Sequence, residues 1–306
     1  MILIGHFVIQ FGINWKYKLN ESDVSVLTVK RYKVCKYKGT SLKLIAIPKE
    51  LIFLHKQIRM TIFKQIENYN THSEKGINSK ISRDYKDFNF LFSNTDLEIL
   101  LEQNKDHYEA FPFDGEVLRS YNAVYFDTPK NQLFIEDHNK KRNRNIVRYV
   151  KCIETNKTIL EARYLNKKGV KKKKKMQVDS IKKELSENEI EFLSKVLPKK
   201  IANNLEARLS LNYKRIVIVG KNNSDRVTID SDFEVSKNEE PFVKIDLANC
   251  KINQERGLEA SVFHNSLRNN NIRESKISNY VLGMSIFGKR KSNFYSNKIN
   301  KITREL

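Results

Sequence analysis

The 306-residue chain is short of the residue types that build several familiar sites. Its three cysteines, Cys35, Cys152 and Cys250, lie far apart and form no CxxC pair. That excludes a zinc ribbon or disulfide framework and points to a reducing compartment. Only ten glycines occur, and none falls in a GxxxxGKS, GxxxxGKT or GxGxxG pattern, so a P-loop or Rossmann turn is excluded. The six histidines are scattered, with no pair at metal-ligand spacing. Long hydrophobic runs are missing too. The most apolar stretch, residues 1–13, contains His6 and Gln10 and is shorter than the roughly 20 residues a membrane span requires. It lacks a basic start and a small-residue cleavage site, so a strand is expected there rather than an export signal. A cytoplasmic location follows as the expectation. Acidic residues are in deficit, 36 against 57 Lys and Arg, leaving a net charge of +21. That excess directs attention to polyanions: nucleic acid, anionic lipid or phosphate compounds.

What is present suits a sizeable core, with 17 Phe and 13 Tyr. Residues 1–75 read as an accessory segment, with strands over 24–34 and 41–47 and a helix over 51–69. A polar linker over 71–83 follows. Residues 76–288 form the main domain, and 289–306 a basic mobile tail. Within the main domain, strands are predicted over 85–92, 119–127, 145–154, 158–165, 171–178, 209–219, 226–235 and 241–247. Helices are predicted over 93–107, 186–197, 257–268 and 277–287. Ser186 and Glu189 have capping-box spacing. So many evenly spaced strands predict the α+β class: an antiparallel, eight-stranded, tunnel-like β-barrel with flanking helices.

Charge is concentrated in one place. Between His138 and Lys175 there are 15 Lys and Arg against two Glu, Glu154 and Glu161. On a strand, residues two apart share a face, so Glu161 and Arg163 do, as do Arg226, Thr228 and Asp230, and Lys171, Lys173 and Lys175. If the sheet curls and these point inward, their mutual repulsion makes sense only around a polyanion. The alternative is a polar outer face of an ordinary antiparallel sheet. A basic outer surface, with Tyr149 and Tyr164 to stack on bases, keeps nucleic-acid binding open.

Six segments resemble one family in order. Tyr121 to Pro129 (YNAVYFDTP) is similar to the Y-x-N-x-YFDTP segment of the VTC domain, the polyphosphate polymerase domain of the triphosphate tunnel metalloenzyme superfamily. Residues 159–163 (ILEAR) resemble its FLEIK strand, and Lys171 to Lys175 fall where a further basic strand belongs. Tyr213-Lys214-Arg215 resembles its YxR, residues 226–230 read RVTID, and residues 278–283 (SNYVLG) resemble its closing SKYxxG.

The resemblance implies an eight-stranded tunnel that binds ATP or polyphosphate with Mn²⁺ or Mg²⁺. In the polymerase branch the γ-phosphoryl group of ATP is transferred to a growing chain, a reaction that needs positioning and charge neutralisation. It implies Arg148, Arg163, Arg215 and Arg226 as catalytic residues. Lys171, Lys173, Lys175, Lys244 and Tyr213 would bind phosphate, and Glu161, Asp230 or Asp246 would hold the metal. It implies no specific nucleic-acid partner, and a membrane-protein partner remains open. The sequence departs from the family pattern. The first strand reads Asp87-Phe88-Asn89 in place of Glu-x-Lys, and the third keeps only Arg148 of three basic positions. The last is read as Lys244-Ile245-Asp246, with the charges of Glu-x-Lys reversed, and Asn279 replaces a Lys. These losses make a catalytically inactive binding module the alternative to a polymerase.

Overall fold

The structure is a computed structural model that describes residues 35–37, 40–42, 65–72, 85–165, 170–222, 225–237 and 240–287. The chain divides into two units, 1–64 and 65–306. In the first, β1 (Cys35–Tyr37) and β2 (Thr40–Leu42) form an antiparallel pair. The strands expected over 1–13 and 24–34, most of the helix over 51–69, and the 289–306 tail lie outside the described residues.

The second unit is built on one antiparallel sheet. Its elements are β3 (Tyr85–Ser93), α1 (Asn94–Asn104), β4 (Tyr108–Ala110), β5 (Arg119–Asp127), α2 (Gln132–His138), β6 (Asn145–Cys152), β7 (Thr158–Leu165) and β8 (Lys171–Val178). Then come α3 (Glu187–Ser194), α4 (Lys199–Ala202), β9 (Glu206–Gly220), β10 (Arg226–Ser236), β11 (Val243–Ile245), β12 (Leu247–Glu255), α5 (Val262–Asn269) and α6 (Asn279–Phe287). The strand order is β3-β12-β10-β9-β5-β6-β7-β8, with β11 beside β10 and β4 beside β9. Two expectations are corrected here. The path is open: β3 and β8 are its ends and, among the described residues, do not pair with each other, so the expected closed barrel is replaced by an open sheet. The last full-length strand is β12, while the predicted 241–247 strand is reduced to the three residues of β11.

Local signals explain several boundaries. Ser93 caps α1, its hydroxyl accepting from the Asp96 amide while Asp96 accepts from the Ser93 amide, a reciprocal box that satisfies two otherwise unpaired donors. Ser186 and Glu189 form the same box at α3. Asp127, in the FDTP run, accepts from the amides of Thr128, Leu133 and Phe134 at 2.7–2.8 Å and from the Tyr280 hydroxyl at 2.7 Å. One buried carboxylate therefore folds the chain into α2 and fastens α6 to it.

Alternation along the strands separates two environments. Outward Phe126, Val147, Tyr149, Leu160 and Ala162 pack under Leu193, Leu197 and Ala202 of the α3–α4 region. Inward Ala123, Val150, Leu209 and Leu211 pack on Phe134, Tyr280 and Val281, so α2 and α6 fill part of the concave side. Gly283 makes that approach possible: a Cβ there would lie 2.6 Å from Leu209 Cδ2 and 3.3 Å from Val235 Cγ1. Among the described residues, the rest of the concave side is left as open space.

Candidate functional site

That remaining space is a cavity of about 820 Å³. It is lined from both ends of the strand path, by Tyr85, Asp87 and Asn89 of β3 and by Lys172 and Lys173 of β8. The sheet therefore curls far enough for its edge strands to share one enclosure. Among the described residues, ten Lys and Arg line it against four carboxylates, an excess of six positive charges.

Register explains which side chains meet. Tyr125, Arg148, Glu161 and Lys175 are opposite one another across β5, β6, β7 and β8. Arg148 donates to Glu161 Oε1 from Nε at 3.0 Å and from Nη2 at 2.9 Å, and its Nη1 donates to the Tyr125 hydroxyl at 3.0 Å. Arg163 Nε reaches the same Oε1 at 2.7 Å. Burial alone would raise the Glu161 carboxyl; the Arg148 and Arg163 guanidiniums overcome that and hold it well below the usual carboxylate range. On the other side, Arg215, Asp230 and Asn249 are in register across β9, β10 and β12. Arg215 grips Asp230 with two bonds, Nε to Oδ1 at 2.5 Å and Nη2 to Oδ2 at 2.7 Å. Asn279 Nδ2 donates to the same Oδ2 at 2.8 Å.

Other cations have less compensation. Arg226 is partly buried, its Nε has no hydrogen-bond partner among the described residues, and its guanidinium lies 5.3 Å from the Phe113 ring centre. Arg119 lies 4.1 Å from the same ring. Burial lowers the Arg226 pKa, and repulsion from Arg215 and Arg119 lowers it further. Burial likewise lowers Lys173, as do Lys175, Arg163 and Arg226 around it, with Glu161 opposing them. Lys173 and Arg226 sit on strands far apart in the sheet order, yet Arg226 is among the charges that lower Lys173.

The residues expected from the sequence divide clearly. Arg148, Arg163, Lys173, Arg215, Arg226 and Asp230 line the cavity, and buried Glu161 bonds to two of them. Lys175 is opposite Glu161 in the register. Lys171 opens β8, and its side chain lies outside the described residues. Three placements are corrected. Lys244 is on β11 and pairs with Glu234 at 3.2 Å away from the lining. Asp246 accepts from Asn94 Nδ2 at 2.7 Å, also off the lining. Tyr213 is buried in the apolar cluster, stacked on Tyr121 at 5.3 Å. The full-length strand that follows them is β12, whose Asn249, Lys251 and Asn253 face the cavity. Lys140, Arg144 and Lys276 also line it and were not anticipated; Lys140 and Arg144 share Asp137 at 3.6 and 3.4 Å. Tyr149 is fully buried beneath the outer helices, which removes it as a base-stacking surface.

The expected divalent ion was tested against this donor set. Among the described residues no three His, Cys, Asp or Glu converge. Glu161, Asp230 and Asp246 are each taken by arginine or asparagine donors, and Asp87 pairs with Lys251 at 3.3 Å. These side chains do not fit a cation held by the protein, which needs several free oxygens in near-octahedral array.

Among the described residues no helix is long and apolar enough to cross a membrane. A comparison with curated proteins finds no match. Among solved structures, a candidate adenylate cyclase from Bacillus halodurans is similar at 13% identity and a TM-score of 0.40, over 65% of this chain and 96% of that one. A candidate adenylyl cyclase from Hippeastrum, described as having a dominant triphosphatase activity, is similar at 9% identity and a TM-score of 0.40, over 68% and 98%. The family model for the VTC domain matches residues 84–287, about two thirds of the sequence, and the chain belongs to the VTC domain family.

Proposed function

We propose that the cavity binds the phosphate chain of polyphosphate or of a nucleoside triphosphate such as ATP, inside a tunnel-like enclosure formed by the curled sheet. The observation that carries this reading is the convergence of Arg148, Arg163, Lys173, Arg215 and Arg226 on one cavity with too few carboxylates to neutralise them. Guanidinium groups present paired donors that match phosphate oxygens. A linear polyanion would relieve the repulsion these cations exert on one another.

Membership of the VTC family and the motif resemblance favour a phosphate chain over nucleic acid. So does the inward position of the cations, which a stacked duplex cannot reach. Transfer of the ATP γ-phosphoryl group to a phosphate chain is the activity the resemblance implies. Binding without transfer is favoured by Asn249 and Asn89 on the wall where the family pattern has charged residues.

A competition assay separates these readings. The full chain is loaded with a labelled oligophosphate and challenged with tripolyphosphate or with an oligonucleotide of equal charge. Tripolyphosphate is expected to displace the label at lower concentration. Equal or better displacement by the oligonucleotide would eliminate the reading. Incubation with ATP and Mn²⁺, followed by gel analysis for polyphosphate, tests transfer.

A further inference from the structure

We infer that this chain grips its phosphate chain through its own arginine and lysine side chains, with no divalent cation anchored to the protein. The inference rests on the reading above, that the cavity takes oligophosphate.

A bridging Mg²⁺ or Mn²⁺ has near-octahedral demands and short bonds to carboxylate oxygens. The best-placed carboxylate, Asp230, has both oxygens occupied by Arg215, and Oδ2 also by Asn279. The position opposite it on β12 is Asn249, an amide that donates to Asn279 Oδ1 at 2.6 Å. Asn249, Asn279 and Asp230 therefore form a continuous hydrogen-bonded chain, closed off by Arg215, where a second carboxylate would be needed. Across the cavity, Glu161 spends Oε1 on three guanidinium N–H donors. A metal at Asp230 must break a two-pronged arginine pair, and one at Glu161 must sit beside the Arg148 and Arg163 guanidiniums. The same arginines retain further N–H donors with which to reach phosphate oxygens. The carboxylates thus hold the arginines in position, the inverse of holding a metal.

The test titrates tripolyphosphate into the full chain in metal-stripped buffer and again with Mg²⁺ or Mn²⁺. The expected result is binding in stripped buffer at least as tight as with metal, because the free cation neutralises the ligand. Binding more than about tenfold weaker without metal overturns the inference and leaves the functional reading standing. Binding in neither buffer overturns both. In parallel, the electron paramagnetic resonance signal of free Mn²⁺ is expected to persist when the protein alone is added. Its loss would show a protein-held ion and would also overturn the inference.

Discussion

The outward residues of β6 and β7 and the Arg148–Glu161 pair on their inward side are equally buried and chemically opposite. Outward, Val147, Tyr149, Leu160 and Ala162 are covered by helices, and burial there is favourable in proportion to apolar area. Inward, Arg148 and Glu161 are covered to the same degree, at 4% and 3% exposure, and burial there is costly unless each charge is paired. The usual arrangement of an antiparallel sheet, polar side to water and apolar side to the core, is turned inside out. Inward, this charged pair gives way along the same sheet to the apolar cluster under α2 and α6.

The comparison breaks first at its most constrained pair. Arg148→Met leaves Glu161 buried with only the half-exposed Arg163 as a partner and is expected to cost about 3–5 kcal/mol in denaturant unfolding. Replacing both, Arg148→Met with Glu161→Leu, should recover most of that loss. On the opposite side, Leu160→Ala opens a cavity under α3 and should cost about 2–5 kcal/mol while leaving tripolyphosphate affinity unchanged. Gly283→Ala forces α6 away from Leu209 and Val235 and should cost about 1–3 kcal/mol by overpacking, read as a lowered melting temperature.

Acid sharpens the contrast. The Glu161 carboxyl is lowered in the folded chain, so its contribution to stability is complete above the ordinary value of 4.5. That contribution is lost as the pH falls from there toward the folded value. Glu161→Gln should flatten that part of the stability-against-pH curve. The smallest effect belongs to Lys244→Ala, which removes an exposed ion pair on β11 and should leave phosphate binding unchanged in a titration.

How far the sequence could be read follows the same division. Strands with β-branched or aromatic outward positions, such as β5, β7 and β10, were placed close to their observed bounds. β12 was not, because its inward positions are Asn249, Lys251 and Asn253. Asparagine is a poor strand former, and the run LANCKINQE carries no turn signal at its start. With it missed, the last strand was read at Lys244 and Asp246. The α2 helix was hidden because its N-cap, Asn131, makes no side-chain bond, and its Leu133 and Phe134 amides are instead held by Asp127 at the end of β5. Of the four arginines on the lining, Arg163 and Arg226 were assigned a face by alternation, while Arg148 and Arg215 were named only through the family resemblance. Lys140, Arg144 and Lys276 come from loops, where no periodicity marks direction.

The central claim is that the inward cations form one anion-binding enclosure. Its most direct measurement is calorimetric titration of tripolyphosphate into the wild-type chain and into Arg163→Ala with Arg226→Ala, both first checked for folding by circular dichroism. Each lost charge-assisted contact is expected to cost about 1.5–3 kcal/mol, so the double variant should bind more than about a hundredfold more weakly. Equal affinity in the two proteins would contradict the claim.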